Sequence, residues 1–259
     1  MLHRLPRPTI FAHRGASAYA PENTLAAFEL AVKQGAHAIE LDAKLCADGQ
    51  VVVIHDTTVD RTTDGSGRVG DLPLEALREL DAGEFFDASF RGERIPTLSE
   101  VLESIGRRLW INIELTNYTT PNDALPAKAA ELVRHHGLQE RVIFSSFNPL
   151  TLNRMKKELP RVPKGWLIAP GSWGAWSWRL LRGYISHEAV HPASQIVSPG
   201  WVTRIHLQGR RVHVYTVNRV EEIKRLLDWD VDGIFTDDPL LALQVVQEHA
   251  FDKDTEEET

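Results

Sequence analysis

The chain has 259 residues, of which 42% are hydrophobic and 25% charged, a composition typical of a soluble globular protein. Its net charge of −7 argues against a nucleic-acid partner, because phosphate backbones are bound by basic surfaces. The single cysteine, Cys46, excludes an internal disulfide, and no uncharged stretch approaches the roughly 18 residues that span a bilayer. Residues 1–8 lack the apolar run of a signal peptide, so we expect a cytoplasmic protein.

The chain begins with a predicted strand, helix and strand. Thr9–Ala12 is a short apolar run, which suits a strand buried on both faces. Asn23 or Thr24 is the expected N-cap of the helix, and Gly35 is its expected end. Ala38–Asp42 then reads as the second strand, so the pattern predicts one complete strand–helix–strand unit.

The same alternation continues to the C-terminus. Predicted strands cover residues 109–115, 141–145, 165–168, 188–191, 212–217 and 233–236. Predicted helices cover residues 98–105, 123–136, 149–159, 174–182, 200–208, 220–227 and 239–249, with Asn218 as the expected cap of the sixth of these. Eight units predict an α/β fold of the closed (β/α)8, or TIM barrel, type. An open doubly wound sheet is the alternative if the strands at 165–168 and 188–191 do not form.

Residues 43–96 interrupt the alternation after the second barrel strand. They contain a turn at Asp48–Gly49, a hairpin strand at Val51–Ile54, a glycine-rich stretch at 64–67 and a short helix at Leu74–Leu80. We expect a small inserted subdomain above the C-terminal face of the barrel, within one domain that spans residues 1–259.

Three carboxylates lie inside or at the ends of predicted apolar strands, where barrel active sites are found. Glu40 and Asp42 are two residues apart on the second strand and therefore point the same way. Glu114 ends the next barrel strand. Because burying an unpaired carboxylate is costly, these residues indicate a site for a hard cation, Mg²⁺ or Ca²⁺. A salt-bridge network with Arg or Lys is the alternative.

Two histidines and an arginine lie at neighbouring strand ends. His13 ends the first strand and His55 ends the inserted strand, so one could accept a proton while the other donates one. Arg14 offers a fork of donors suited to a phosphate oxygen. With a cation, these residues are the parts needed to cleave a phosphodiester; hydrogen-bonded structural histidines are the alternative.

Short motifs along nearly the whole chain resemble, in order, the signature of the glycerophosphodiester phosphodiesterases. They are His13–Gly15, Pro21–Thr24, Glu40–Asp42, His55–Asp56, Ile95–Leu98, Asn112–Leu115, Ser145–Phe147, Val214–Asn218 and Asp232–Asp237. Each fragment is weak by itself, but the ordered set is highly specific. The resemblance implies a (β/α)8 barrel with an inserted subdomain near residues 43–96.

The resemblance also implies an activity, the metal-dependent hydrolysis of a glycerophosphodiester to sn-glycerol 3-phosphate and an alcohol. It is compatible with first attack by the substrate's own glycerol hydroxyl, which gives a cyclic phosphate that water opens. By motif position it implies that Glu40, Asp42 and Glu114 are the metal ligands. It also implies that His13 and His55 are the acid/base pair and that Arg14 contacts the phosphate. A catalytically dead barrel that only binds phosphate-containing ligands is the non-enzymatic alternative.

Two positions depart from the family pattern. Thr116 stands where the family usually has a lysine that can contact the phosphate, and Tyr215 stands where it often has tryptophan. Among the neighbours of the site, Asn23 is either a helix cap or a ligand contact. Glu22 supports either Arg14 or the metal shell.

The segment Trp166–Trp178 contains four tryptophans. One interpretation is aromatic packing of a long loop over the barrel mouth. The other is an apolar lip that accepts an acyl chain or makes weak contact with a membrane surface. In that case the substrate would be a lysophospholipid, hydrolysed in the manner of a lysophospholipase D, instead of a small water-soluble phosphodiester.

Overall fold

The computed structural model of the protein describes residues 1–171, 178, 180–181 and 183–257. Within these residues the strands are β1 Thr9–Ala12, β2 Ala38–Leu45, β3 Val51–Val53, β4 Trp110–Leu115, β5 Val142–Ser146, β6 Lys164–Ile168, β7 Ala189–Pro192, β8 Arg211–Val214 and β9 Gly233–Thr236. The α-helices are α1 Leu25–Lys33, α2 Leu74–Glu79, α3 Leu98–Ile105, α4 Leu125–His135, α5 Pro149–Glu158, α6 Pro199–His206, α7 Val220–Asp228 and α8 Pro239–Glu257.

Eight of these strands form a closed parallel barrel. The order around the sheet is β1, β9, β8, β7, β6, β5, β4, β2, and β1 pairs in parallel with both β9 and β2. The strands at 165–168 and 188–191 are therefore real, as β6 and β7. The (β/α)8 prediction is confirmed, and the open doubly wound sheet is wrong because closure leaves the barrel strands without a free edge.

The register between β2 and β4 brings the predicted carboxylates together. Asp42 lies opposite Glu114, and Glu40 lies opposite Asn112. Because side chains two residues apart on a strand share a face, all four of these side chains project to the same side of the sheet. The pairing of two strands that are distant in sequence thus places one half of the candidate site.

The insertion begins as a hairpin on β2. β3 runs antiparallel to β2, with Ala43 opposite Val53, and the chain returns to the barrel at α3. The insertion has its own small apolar core, to which Cys46, Val52, Ile54, Val59, Val69, Leu77, Ala82 and Ile95 contribute. The packing of this core keeps the hairpin beside the C-terminal ends of the barrel strands.

Two predicted helix caps have different outcomes. The Thr24 hydroxyl accepts a hydrogen bond from the Ala27 amide at the start of α1, so Thr24 is the cap. The expected cap at Asn218 is wrong: α7 begins after Arg219, without a side-chain cap bond. The helix predicted at residues 174–182 lies mostly outside the described residues. No helix in the described ranges is long and apolar enough to cross a membrane.

Candidate active site

One cavity of about 160 Å³ at the C-terminal ends of the strands is lined by all six of the predicted site residues. We call it the catalytic cavity. Its lining comprises His13, Arg14, Glu40, Asp42, His55, Asn112, Glu114, Phe147, Leu167, Tyr215, Thr216 and Phe235. Residues from β1, β2, the insertion and β4 therefore meet at one point, as the strand-end argument predicts.

The predicted metal ligands form a compact acidic cluster. Glu40, Asp42 and Glu114 each place one carboxylate oxygen within 4.8 Å of the others. Glu40 and Asp42 are 3% and 2% exposed, so water does little to screen their mutual repulsion. An all-oxygen donor set at this spacing fits a hard cation such as Mg²⁺ or Ca²⁺, whereas a softer metal would call for nitrogen or sulfur ligands.

Keeping these carboxylates charged at the same time costs free energy, and the raised pKa values of Glu40 and Glu114 reflect this cost. Burial, and then the neighbouring charges of Asp42 and Glu114, raise the pKa of Glu40 well above its ordinary value. Burial and the charge of Asp42 likewise raise the pKa of Glu114, to about 8. The hydroxyl of Tyr118 donates a hydrogen bond to Glu114 and partly offsets the repulsion. A bound dication would remove this cost, so the cluster is suited to one.

Neighbours from the first loop hold two of the carboxylates in place. The backbone amide of Arg14 donates to Glu40 at 3.0 Å. Asn23 donates its side-chain amide to Asp42 at 2.9 Å and accepts the Asp42 backbone amide at 3.3 Å. Thr24 caps the helix, so the cap alternative for Asn23 is wrong, and Asn23 instead supports Asp42, a predicted metal ligand.

The backbone of this first loop is bent sharply. Arg14 and Asn23 have φ angles of 57° and 60°, in the left-handed region that non-glycine residues rarely adopt. Gly15 has φ 88°, and a Cβ there would lie 2.6 Å from the Cβ of Ala27. Only glycine fits this close approach to α1, and the bend is what turns the amide of Arg14 towards Glu40.

His13 is oriented by an aspartate at the end of β9. Its Nδ1 donates a hydrogen bond to Asp237 at 2.7 Å, and Asp237 also accepts bonds from Ser17 and Asn218. Burial acts to raise the pKa of Asp237, but the bond from His13 and the other donors lower it below its ordinary value. A charged Asp237 fixes the His13 tautomer and leaves Nε2 as the nitrogen that can exchange a proton.

His55 is oriented in the same way, through its neighbour in the chain. Its Nδ1 donates to Asp56 at 2.7 Å, and the guanidinium of Arg61 donates to Asp56 at 2.6 Å. The bonds from Arg61 hold the pKa of Asp56 well below its ordinary value, despite partial burial. Each histidine therefore has a carboxylate behind it, and Asp56 orients His55.

A chain of ion pairs joins the insertion to the first loop. Arg61 donates two hydrogen bonds of 2.8 Å to Glu22, and Glu22 accepts a further bond of 2.9 Å from Arg14. The Nε of Arg14 also lies 3.4 Å from Asp42. Of the two expectations for Glu22, support of Arg14 agrees with these contacts. The guanidinium of Arg14 is thus held by two carboxylates at the wall of the catalytic cavity.

Apolar and aromatic side chains form the opposite wall of the catalytic cavity. Phe147 and Tyr215 pack edge to face, with ring centroids 5.9 Å apart, and the Tyr215 hydroxyl donates to the backbone carbonyl of Ile168 at 3.0 Å. The tyrosine that stands where the family often has tryptophan therefore keeps an aromatic wall. Such a surface suits the carbon skeleton of a small substrate.

The other departure from the family pattern, Thr116, lies beside a lysine from the neighbouring strand. The ammonium of Lys44 donates a hydrogen bond of 2.8 Å to the Thr116 hydroxyl, which itself donates to the Ala43 carbonyl at 2.8 Å. Lys44 follows Asp42 by two residues on β2. A positive charge is therefore present close to position 116, although it comes from a different strand.

The described tryptophans of the segment Trp166–Trp178 point inwards. Trp166 and Trp178 are both buried, their rings are 5.2 Å apart, and His187 packs against both. These two residues form core packing and no exposed lip. Trp173 and Trp176 lie outside the described residues.

Two residues of the site were not assigned a role from the sequence. Asp237 stood out only as one of several polar residues at the end of the last strand. Nothing in the sequence indicates a role for Arg61, because neither its spacing from His55 nor the residues around it match a known motif. A search for an acidic neighbour of each candidate histidine would have found Asp56, which follows His55 directly, but not Asp237, which is 224 residues from His13.

Comparison with known proteins identifies the family. The model of the "Glycerophosphoryl diester phosphodiesterase family" matches residues 13–241. The glycerophosphodiester phosphodiesterase of Caldanaerobacter subterraneus subsp. tengcongensis is 41% identical over 240 residues, which cover 92% of this chain and 97% of that protein. The glycerophosphodiester phosphodiesterase of Bacillus altitudinis is 36% identical over 243 residues, covering 92% of this chain and 98% of that protein.

Solved structures agree. A phosphodiesterase from Oleispira antarctica, in complex with the product sn-glycerol-3-phosphate, is similar with a TM-score of 0.84 and 31% identity, over 93% of this chain and 97% of that one. A glycerophosphodiester phosphodiesterase from Agrobacterium tumefaciens has a TM-score of 0.77 and 32% identity, over 90% and 98% of the two chains. With its barrel, its acidic cluster and its two carboxylate-backed histidines, the chain belongs to the glycerophosphoryl diester phosphodiesterase family.

Proposed function

We propose that this protein hydrolyses glycerophosphodiesters to sn-glycerol 3-phosphate and an alcohol, with a divalent cation and two histidines as acid and base. The observation that carries the proposal is the meeting of His13, His55, Arg14 and the acidic cluster in one cavity of about 160 Å³. The family supports the reaction class, and the related Oleispira antarctica enzyme was solved with this product.

In this proposal Glu40, Asp42 and Glu114 hold Mg²⁺ or Ca²⁺. When bound, the cation would withdraw electron density from the phosphoryl group and offset the charge that develops on its oxygens. The side chain of Arg14, fixed by Glu22 and Asp42, contributes donors on the same wall for a phosphate oxygen. A hydrogen bond to Glu22 and an ion pair with Asp42 keep the guanidinium on this wall.

The two histidines divide the proton transfers. One takes the proton from the attacking oxygen, which belongs either to the substrate's own glycerol or to water. As the new P–O bond forms and the P–O bond to the leaving alcohol breaks, the other histidine gives its Nε2 proton to the leaving oxygen. Asp237 and Asp56, hydrogen-bonded to the two Nδ1 atoms, stabilise whichever ring is protonated at each stage.

The test is release of sn-glycerol 3-phosphate from glycerophosphoglycerol by the purified protein. We expect turnover that EDTA abolishes and Mg²⁺ or Ca²⁺ restores, and a loss of roughly 10² to 10⁴ in kcat for His13→Ala or His55→Ala. His135→Ala, on the exposed end of α4, is the matched control and should keep wild-type activity. Full activity in His13→Ala would contradict the mechanism.

The lysophospholipid alternative is tested by measuring the release of choline, which lysophosphatidylcholine and glycerophosphocholine both give on hydrolysis. Neither Trp166 nor Trp178 is available to an acyl chain, because both are buried. We therefore expect a lower kcat/KM for lysophosphatidylcholine than for glycerophosphocholine, which carries the same head group without the acyl chain. The reverse order would favour a lysophospholipase D-type activity.

A further inference from the structure

A second and larger cavity lies directly outside the catalytic cavity. Three chain segments each contribute a residue to the catalytic cavity and, two residues later, one to the larger cavity. The pairs are Asp42 and Lys44, Glu114 and Thr116, and His55 and Thr57. On the two strands such pairs share a face and are about 7 Å apart along the strand. We call this larger space, of about 390 Å³, the outer cavity.

The size of the catalytic cavity makes the outer cavity relevant to the substrate. Pockets that enclose drug-sized ligands have roughly 300 to 1,000 Å³, so about 160 Å³ leaves little room beyond the glycerol and phosphate groups. The alcohol portion of a larger diester must extend out of it. The ammonium of Lys44 contacts Thr116, and the two residues lie two positions after Asp42 and Glu114, so the ammonium lies close to the boundary between the two cavities.

Two cations of the outer cavity are not neutralised by ion pairs. Lys44 donates to the hydroxyl of Thr116, and among the described residues it has no carboxylate within 4 Å. The exposed guanidinium of Arg68 makes neither a hydrogen bond nor an ion pair with a side chain in the described part of the protein. Both groups therefore retain donors for a ligand with hydroxyl oxygens, which a quaternary ammonium does not offer, while Asp71 and Asp123 offset their charge.

The remaining lining offers both donors and acceptors. Among the described residues, the hydroxyls of Thr57 and Thr119 and the carboxylate of Asp71 make no side-chain hydrogen bond within the protein. The side chains of Thr116, Asn117, Thr120 and Asp123 also line the cavity but already bond to other protein groups. Among the described residues that line this cavity, none is aromatic. Recognition of a quaternary ammonium uses aromatic faces, whereas a ring or chain of hydroxyl groups needs alternating donors and acceptors.

We propose that the outer cavity binds the alcohol portion of the diester, and that Lys44 and Arg68 make it select a polyhydroxylated, uncharged alcohol over a quaternary ammonium. This inference rests on the proposed function and adds the substrate class to it. Lys44 and Arg68 donate hydrogen bonds to hydroxyl oxygens of the alcohol, and Asp71 accepts from its hydroxyl groups. The catalytic groups remain those of the catalytic cavity.

The test compares three substrates that share the same glycerol phosphate. Glycerophosphoinositol carries a polyol, glycerophosphocholine carries a quaternary ammonium, and the methyl ester of sn-glycerol 3-phosphate leaves the outer cavity empty. For the wild-type protein we expect kcat/KM for glycerophosphoinositol to exceed that for glycerophosphocholine by about tenfold or more. A hydrogen bond to a charged group has roughly this effect.

Two variants identify the residues responsible. In Lys44→Met and in Arg68→Met, the ratio of kcat/KM for glycerophosphoinositol to that for the methyl ester should fall by about tenfold, mostly through KM. Lys33→Met, which removes an exposed lysine at the end of α1, should leave the ratio unchanged. Arg68 is exposed, so its variant remains informative if Lys44→Met does not fold.

Two outcomes would contradict the inference and leave the proposed function intact: a wild-type preference for glycerophosphocholine, and an unchanged ratio in both variants. If the ratio is unchanged because kcat/KM falls equally with the methyl ester and with glycerophosphoinositol, Lys44 acts on the phosphate and not on the alcohol. Absence of turnover with all three diesters would instead contradict the proposed function itself, and the inference with it.

Discussion

Arg61 of the insertion donates two hydrogen bonds of 2.8 Å to Glu22 of the first barrel loop. The same guanidinium donates a hydrogen bond to one carboxylate oxygen of Asp56, and the other oxygen accepts a hydrogen bond from His55. One side chain therefore fastens the insertion to the barrel and fixes the carboxylate behind a predicted catalytic histidine. Glu22 also accepts a hydrogen bond from Arg14. Glu22 therefore belongs both to the contacts that position His55 and to those that position Arg14.

The first prediction concerns this shared contact. Arg61→Met should lower kcat by about ten- to a hundredfold, because a histidine misplaced by about 1 Å loses a comparable factor. Metal affinity should change little, since Arg61 does not contact the acidic cluster. Arg91→Met removes an exposed ion pair with Glu84 elsewhere in the insertion and serves as the control. Wild-type kcat in Arg61→Met would show that His55 does not depend on this support.

The second prediction concerns the aspartate behind His13. Asp237→Asn keeps the shape of the side chain but removes the negative charge that accepts from Nδ1 and stabilises the protonated ring. We expect a fall in kcat of roughly 10² or more, with a smaller change in KM. Asp228→Asn, at the exposed end of α7, is the control and should retain activity. An undiminished kcat in Asp237→Asn would remove Asp237 from the mechanism.

The third prediction separates metal binding from catalysis. Free Mg²⁺ or Ca²⁺ at a hundred times its Kd should stabilise the fold by about 2.7 kcal/mol and raise Tm by roughly 5 to 10 °C. Glu114→Gln relieves the repulsion among Glu40, Asp42 and Glu114, so the metal-free variant should be at least as stable as the wild type.

Differential scanning fluorimetry with and without the cation measures both effects. In Glu114→Gln the cation should produce a clearly smaller rise in Tm, because one charged ligand is missing. A wild-type Tm that neither cation changes would contradict the metal site. An equal rise in the variant would show that the cation binds elsewhere.

The fourth prediction concerns acid stability. Burial lowers the pKa of His187 to about 4, against an ordinary value of about 6.5. Between these values the unfolded chain binds a proton that the folded chain does not, so stability falls as the pH decreases. Between pH 7 and pH 5 the titration of this residue should lower the free energy of unfolding by about 2 kcal/mol.

Urea unfolding at the two pH values provides the measurement. His187→Phe keeps an aromatic ring against Trp166 and Trp178 and removes the titrating group, so it should lose about 2 kcal/mol less than the wild type over this range. His135→Phe, on the protein surface, should lose as much as the wild type. The same pH dependence in His187→Phe as in the wild type would refute the assignment.

Local sequence patterns were sufficient for most of the barrel. β1 and β9 begin and end at the predicted residues, because each is a short run bounded by residues that interrupt a buried strand, Pro8 and His13 for β1 and Asp232 and Asp237 for β9. β8 was predicted to extend to Val217, but it ends at Val214. Beyond Val214 the contacts with both neighbours continue only as an isolated bridge between Tyr215 and Ala193 and a hydrogen bond from the Val217 amide to the Phe235 carbonyl, and composition alone does not reveal where a regular ladder ends.

Contacts between distant residues account for what the sequence did not predict. Asn218 looks like a helix cap by local rules, yet its side-chain oxygen accepts the backbone amide of Asp237 at 2.9 Å. Asp237 in turn reaches His13, which is 224 residues away. Periodicity and spacing place each of these residues at a strand end, but only closure of the barrel between β1 and β9 determines which of them touch.

The hairpin of β2 and β3 couples the length of one surface turn to the direction of His55, a predicted catalytic residue. Residues 46–50 form the turn, and the Ile54 amide donates to the Asp42 carbonyl directly before His55. Adding or removing one residue in this turn shifts the pleat of β3 by half a period and points the following side chain to the opposite side. The barrel closes through β2 and β4 without the hairpin, so we expect such a protein to fold and yet misplace one of the two histidines proposed to transfer protons.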